Sequence, residues 1–161
     1  MRCAALDNLP IHLALEHLAE GDVLVVAAGG SAGGFVGEVI ATAARARGCA
    51  GVVIDGGVRD IESFEAARFP VFARVVALRR TVKRDAGEIG TSVQIGGVRV
   101  STGDVVVGDA DGVVALPAER LDTIVAAARE REKRERDYLR RIAAGELTLD
   151  IYGLRSPPRT T

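Results

Sequence analysis

The chain has 161 residues, 48% hydrophobic and 27% charged, which suits one domain around a single core. Its 21 basic and 22 acidic side chains leave a net charge of −1, and aromatic content is 4% with no Trp. That balance excludes a global field for nucleic acid or an anionic membrane, and it disfavours base stacking.

In chain order, Met1 to Leu6 reads like the end of a strand with no beginning. Asn8 to Ala19 predicts a helix, with Asn8 as cap and Ile11, Leu13, Leu15 and Leu18 as apolar surface. His12 and His17 lie in it without a Cys or His partner at ligand spacing, which points to surface or packing roles. Gly21-Asp22 turns the chain into a short apolar run, Val23 to Ala28, which predicts a strand followed by a glycine loop (Gly29, Gly30, Gly33, Gly34). A helix is predicted from about Phe35 to Arg47, then a second strand from Gly51 to Ile54 that ends in Asp55, Gly56, Gly57, Val58, Arg59 and Asp60. Apolar runs bounded by glycine around one amphipathic segment predict a β-α-β unit.

Ile61 to Ala67 predicts a short helix, and Phe69 to Ala77 a strand. Arg79, Arg80, Lys83 and Arg84 form a basic loop, read as solvated or interfacial in preference to an anion site. A hairpin over Ser92 to Val100 turns at Gly96-Gly97, and Gly103 to Val107 echoes Gly21 to Val25 as a turn and strand. Asp111-Gly112 turns into Val113 to Leu116, and a long helix follows from about Ala118 to Ala144. Its apolar seam (Leu121, Val125, Ala128, Leu139, Ile142) passes through Glu132 and Glu135. Carboxylates on a packing face are costly unless paired or metal-bound, and arginines nearby supply the paired alternative. The apolar patch from Leu147 to Leu154 is a candidate for packing on another subunit, and residues 156–161 are expected to be disordered.

The chemistry concentrates in the central unit. Ligands bind beyond the carboxyl ends of strands in such units, and Glu38, Asp55, Arg59 and Asp60 stand there. Three carboxylates and one guanidinium suit a divalent metal with an anionic substrate. The glycines lack the Lys of a P-loop and the spacing of a dinucleotide fingerprint, so a tight turn is the plainer reading of them alone. No Lys lies in the central unit, which argues against Schiff-base chemistry. Cys3 and Cys49 form no metal-ligand pair, no signal peptide precedes them, and no apolar run is long enough to span a bilayer. A reduced, cytoplasmic protein without nucleic-acid or membrane partners is expected.

Several segments together resemble one family: Asp7-Asn8, GDVLVV at Gly21 to Val26, GFVGE at Gly34 to Glu38, VVIDGGVRD at Val52 to Asp60, GDVVVGDADGVVALP at Gly103 to Pro117 and GELTLDIYGLR at Gly145 to Arg155. The chain resembles the class II pyruvate aldolases that cleave 4-hydroxy-4-methyl-2-oxoglutarate and 4-carboxy-4-hydroxy-2-oxoadipate. Their superfamily also contains the regulator of ribonuclease activity A.

The resemblance implies an α/β fold, a compact β/β/α sandwich of the swivelling-domain kind with a central β-α-β unit and a long C-terminal helix. It implies a single domain over residues 1–155, from which the N-terminal part of the family domain is missing. It also implies that Asp60 is the direct metal ligand, for Mg²⁺ or Mn²⁺, and that Arg59 grips pyruvate and stabilises its enolate. Glu38 takes the place of an acid that orients metal-bound water. The backbone amides of Val39 and Ile40 match those that hold the substrate carboxylate, and Asn8 matches a polar residue lining the pocket. Glu135, or Glu132, matches an acid supplied by a neighbouring subunit of a trimer. Leu6 departs from the Gly that related aldolases often carry beside Asp-Asn. The expected activity is cleavage of such 2-oxo acids to pyruvate, with oxaloacetate decarboxylation alongside. The alternative is a non-catalytic protein that binds and inhibits a ribonuclease. Asp55 has no assigned role.

Overall fold

In the computed structural model, which describes residues 1–155, a short helix, Leu9–Ala14 (α1), and a single 3₁₀ turn replace the longer predicted helix. The β-α-β unit follows as Val23–Val36 (β1), Glu38–Ala46 (α2) and Gly51–Val58 (β2). Ile61–Ala66 (α3) then leads to Val71–Val76 (β3). The three strands form one parallel sheet in the order β1-β2-β3. Val93–Ile95 (β4) and Val98–Val100 (β5) make the expected hairpin, and Val105–Gly108 (β6) pairs antiparallel with Val113–Leu116 (β7). The mixed α/β class is as expected.

The glycine stretch is not a separate loop. It lies inside the 14-residue β1, where Gly29 and Gly30 take φ of 61° and 72°. The register against β2 slips between Ala27 and Ser31, and again between Ser31 and Val36. Left-handed glycines let the strand bulge and resume. The resumed end is firmly held: Phe35, Val36 and Val58 are fully buried beside Val26, Val52 and Ile11. Each such side chain contributes about 1.5–3 kcal/mol relative to exposure. The ends of β1 and β2 therefore form a rigid platform.

The N-terminal residues do pair like a strand end. Arg2 bridges Ala27 in parallel fashion, Cys3 N–H donates to Ala27 O, and Ala27 N–H donates to Met1 O. Both cysteines are buried and free, and burial pushes the Cys3 thiol up to about 12. No helix among the described residues is long and apolar enough to cross a membrane.

Asp7, and not Asn8, satisfies the start of α1: its Oδ1 accepts the Leu9 N–H at 3.0 Å. Its Oδ2 accepts the N–H groups of Arg84 and Asp85 at 2.9 and 3.0 Å. One buried carboxylate thus ties the basic loop to the start of α1. Burial pushes the Asp7 carboxyl up, but the three backbone donors and the Arg84 charge outweigh it and hold the group below its ordinary value of 3.8. A depressed folded-state pKa gives stability that is present above the unfolded value and lost as pH falls through the folded one. Asp7→Asn removes the titrating charge. The melting-temperature gap between wild type and Asp7→Asn is therefore expected to be constant near neutrality and to shrink below about pH 4. A gap that widens with acid would contradict this role.

The contacts divide the chain into two units, Met1–Ala118 and one that begins at Glu119. The second contains the long helix Leu121–Ala143 (α4) and the short helix Thr148–Ile151 (α5). Tyr138 and Tyr152 meet edge to face at 5.3 Å, and Arg141 pairs with Glu146. No residue of α4 is buried. The two seam carboxylates are instead paired along the helix, Glu132 with Arg136 at 2.6 Å and Glu135 with Arg131 at 2.8 Å. Of the two alternatives for these carboxylates, arginine pairing is the one observed. The disorder expected of residues 156–161 concerns positions outside the described residues.

Candidate functional site

The carboxyl ends of β1 and β2 meet because Arg59 N–H donates to Val36 O at 3.0 Å. The chain after β3 then crosses the same end: Ala77 N–H donates to Val58 O, and Gly34 N–H donates to Arg79 O. It continues past α1, where Asn8 N–H donates to Val82 O and Val82 N–H to Leu6 O. Leu6 takes φ of 55°, a conformation that glycine adopts freely. That is the physical reason a Gly suits this position.

Asp60 also has a left-handed backbone, φ 62° and ψ 43°. In a residue other than glycine this conformation is sparse, and it clusters at functional sites. It aims the carboxylate at the start of α2, where Oδ2 accepts the Glu38 N–H at 3.0 Å. The Arg59 Nε lies 3.6 Å from the same oxygen, and both side chains are partly exposed. Gly37 makes room for the pair, since a Cβ there would collide with Asp60 Oδ2 and press on Arg59. The helix start then has a definite remainder. Glu38 N–H is taken by Asp60 and Ala41 N–H by Gly37 O. The Val39 and Ile40 N–H groups have no acceptor among the described residues, as expected of a first helical turn.

These groups border a cleft of about 250 Å³, lined by Asn8, His12, Gly34, Phe35, Gly37, Val39, Ile40, Arg59, Arg80, Thr81 and Lys83. Three cations and two free helix-start amides make it a receptor for negative charge. Asn8 is buried, and its Nδ2 donates to Phe35 O at 2.9 Å. Asn8 Oδ1 and His12 Nε2 are buried with no hydrogen-bond partner among the described residues. Burial, then the Lys83 charge, hold the His12 imidazolium below its ordinary value, so the ring favours the neutral form.

The expected residues are thus partly assembled. Asn8, Val39, Ile40 and Arg59 share the cleft, and Asp60 stands against its lining residue Gly37. Glu38 reaches Asp60 through its backbone, and it also lines a neighbouring groove with Thr42, Arg45 and Glu62. Glu135 belongs to the second unit. Asp55 is held by Arg74 at 2.7 Å. Arg80 and Lys83 of the basic loop also line the cleft, and so does His12, whose Nε2 is buried.

Among the described residues no group of three or more His, Cys, Asp or Glu forms a metal cage. What is present is one exposed carboxylate with Oδ1 unengaged, beside a cleft for an anion. That set fits a hard ion of the Mg²⁺ kind, which commonly takes one or two carboxylates and completes its shell with substrate and solvent.

The family model described as RraA-like, Aldolase/RraA, matches residues 1–115. A protein of Halalkalibacterium halodurans named "Putative 4-hydroxy-4-methyl-2-oxoglutarate aldolase" is 31% identical over 153 residues, 94% of this chain and 73% of its own length. A solved structure from Geobacillus kaustophilus, titled as an S-adenosylmethionine: 2-dimethylmenaquinone methyltransferase, is 37% identical with a TM-score of 0.63, over 70% of this chain and 71% of that one. The RNA-processing inhibitor RraA from Thermus thermophilis is 33% identical with a TM-score of 0.65, over 72% of this chain and 71% of that one. Other curated relatives are matched over 53% and 66% of their own length.

Proposed function

Because the chain belongs to the Aldolase/RraA family, we propose that it is a divalent-metal-dependent lyase that cleaves 4-hydroxy-4-methyl-2-oxoglutarate-type 2-oxo acids to pyruvate and also decarboxylates oxaloacetate. The relatives carry three different kinds of name, so the reading rests on the site. Its main support is the Arg59-Asp60 pair, set at the shared end of β1 and β2 beside two free helix-start amides. A methyl donor of the sulfonium kind is cationic, and a cleft walled by Arg59, Arg80 and Lys83 repels it.

In this reading the Val39 and Ile40 N–H groups hold the substrate carboxylate, helped by the positive end of α2. Arg59 donates to the 2-oxo oxygen, which gains charge as the bond between carbons 3 and 4 breaks and a pyruvate enolate forms. Asp60 is the residue that would hold Mg²⁺ or Mn²⁺, and the ion when bound supplies a Lewis acid for the same oxygen. Glu38 and, from a neighbouring copy in a trimer, Glu135 are the carboxylates that would orient a water able to carry the proton.

The test is coupled pyruvate release from oxaloacetate and from 4-hydroxy-4-methyl-2-oxoglutarate. Release is expected to need Mg²⁺ or Mn²⁺ and to stop with a chelator. Lys83 stands in the cleft, so the absence of Lys from the central unit does not by itself exclude a Schiff base. Borohydride added with substrate is expected to leave activity intact. A folded protein that releases no pyruvate from either substrate would sink the proposal. The likeness to the Thermus RNA-processing inhibitor favours one second reading, a regulator that binds a ribonuclease. Inhibition of a ribonuclease without pyruvate release would select it.

Arg59→Lys keeps the charge but loses the planar fork that can serve two oxygens. It is expected to lower kcat roughly ten- to a thousandfold, on the scale of a lost oxyanion donor. A change confined to KM would make Arg59 a binding residue only.

A further inference from the structure

The inner wall of the cleft is polar in a way that anion binding does not use. Asn8 and His12 lie one helical turn apart at the start of α1, and both face the same space. The Asn8 amide is oriented by its own bond. Only its nitrogen end can donate to the Phe35 carbonyl, so Oδ1 is the end left over. Asn8 is 4% exposed, and Oδ1 has no partner among the described residues. His12 Nε2 is in the same condition. Polar atoms in such positions are costly unless something bonds them.

The chemistry of that partner is restricted. A carboxylate brings only acceptors, so it cannot serve Asn8 Oδ1. A hydroxyl brings one donor and two lone pairs, so it can donate to Asn8 Oδ1 and accept from His12 Nε2–H. Negative charge nearby has its own partners in Lys83 and Arg80, which line the same cleft. We propose that this wall is a hydroxy-acid subsite, in which Asn8 Oδ1 and His12 Nε2 take a ligand hydroxyl and Lys83 with Arg80 takes a carboxylate on the same or the next carbon. The inference rests on the aldolase reading for its place in the reaction: it assigns the substrate end remote from the pyruvate unit.

Two measurements test it. The first uses no turnover. Malate carries a hydroxyl on a four-carbon diacid, and succinate is the same diacid without it. Malate is expected to bind wild type about tenfold or more tighter than succinate, and to shift the His12 ring nitrogen resonances where succinate does not. His12→Phe is expected to shrink the affinity gap to within about twofold, and His12→Gln to restore part of it. Equal binding of the two diacids, or a gap indifferent to His12, overturns the subsite. The second is kinetic. The ratio of kcat/KM for 4-hydroxy-4-methyl-2-oxoglutarate to that for oxaloacetate, which lacks the hydroxyl, is expected to fall about tenfold or more in His12→Phe. Equal losses on both substrates would make His12 a structural residue and overturn the proposal. A wild type that releases no pyruvate would fail the aldolase reading alone, while the malate and succinate contrast still decides the subsite.

Discussion

Asp60→Asn is expected to reduce metal-stimulated pyruvate release to the level seen without metal, in a protein that still melts cooperatively near the wild-type temperature. The choice of Asn follows from what Asp60 does in the fold. Its Oδ2 accepts the Glu38 N–H at the start of α2, and its backbone is left-handed at φ 62°. Asn supplies an equivalent oxygen, ranks with Asp at helix starts and tolerates that backbone region. It differs in the property the mechanism needs, a full negative charge for a hard cation. Asp60→Ala removes cap, backbone tolerance and charge at once, so its inactivity would not separate catalysis from folding. A circular dichroism melt beside the pyruvate assay checks both halves of the expectation. If folded Asp60→Asn keeps more than about a tenth of the metal-stimulated rate, Asp60 is not the metal ligand.

Arg59 and Asp60 were legible as a candidate site because they are adjacent in sequence and follow a recognisable strand. Chain order alone puts them at a carboxyl end, and the fold needed only to bring up the start of α2. The cationic wall was not legible. Lys83 and Arg80 reach the cleft because the Asp7 carboxylate binds the N–H groups of Arg84 and Asp85, more than seventy residues along the chain. Nothing local to the basic loop announces that tie. Asn8 was expected in the pocket from the family resemblance, and spacing ties His12 to it. Their spacing of four places them on one helical face, a signal present in the sequence. A search for Cys or His at metal-ligand spacing passes over it, because an Asn four residues away is not such a partner.

The glycines and the long helix teach opposite lessons about pattern. Gly29 to Gly34 read as a loop because glycine weakens strands, yet the flanking apolar residues pair on both sides and the glycines become a bulge between them. In α4 the seam was real as a pattern, but periodicity states which residues share a face, not whether that face is covered. Val125, Leu139 and Ile142 are 36%, 66% and 41% exposed. An apolar face left open in this way is what a partner surface looks like. In the proposed function a neighbouring copy covers this face.

Glu135→Gln is accordingly expected to lower kcat by roughly a hundredfold or more, the scale of a lost proton-transfer group. Two acids lie on the seam, and their ion pairs distinguish them. In Glu132–Arg136 the carboxylate precedes the cation, the favourable order along a helix. In Arg131–Glu135 the order is reversed, so Glu135 gives up less on leaving its partner. Both pairs are exposed and weak in water. Glu135 is the acid that the proposed function assigns to a neighbour's site, as the family resemblance implies, and Glu132→Gln is the matched control, expected to stay within about threefold of wild type. The decisive form of the test is complementation. Co-expressed Glu135→Gln and Asp60→Asn chains, each inactive alone, can pair an intact Asp60 with an intact Glu135 only in mixed assemblies. Activity recovered in tag-purified mixed oligomers supports a shared site. Verified mixed oligomers that remain inactive count against it, and a fully active monomer rules it out.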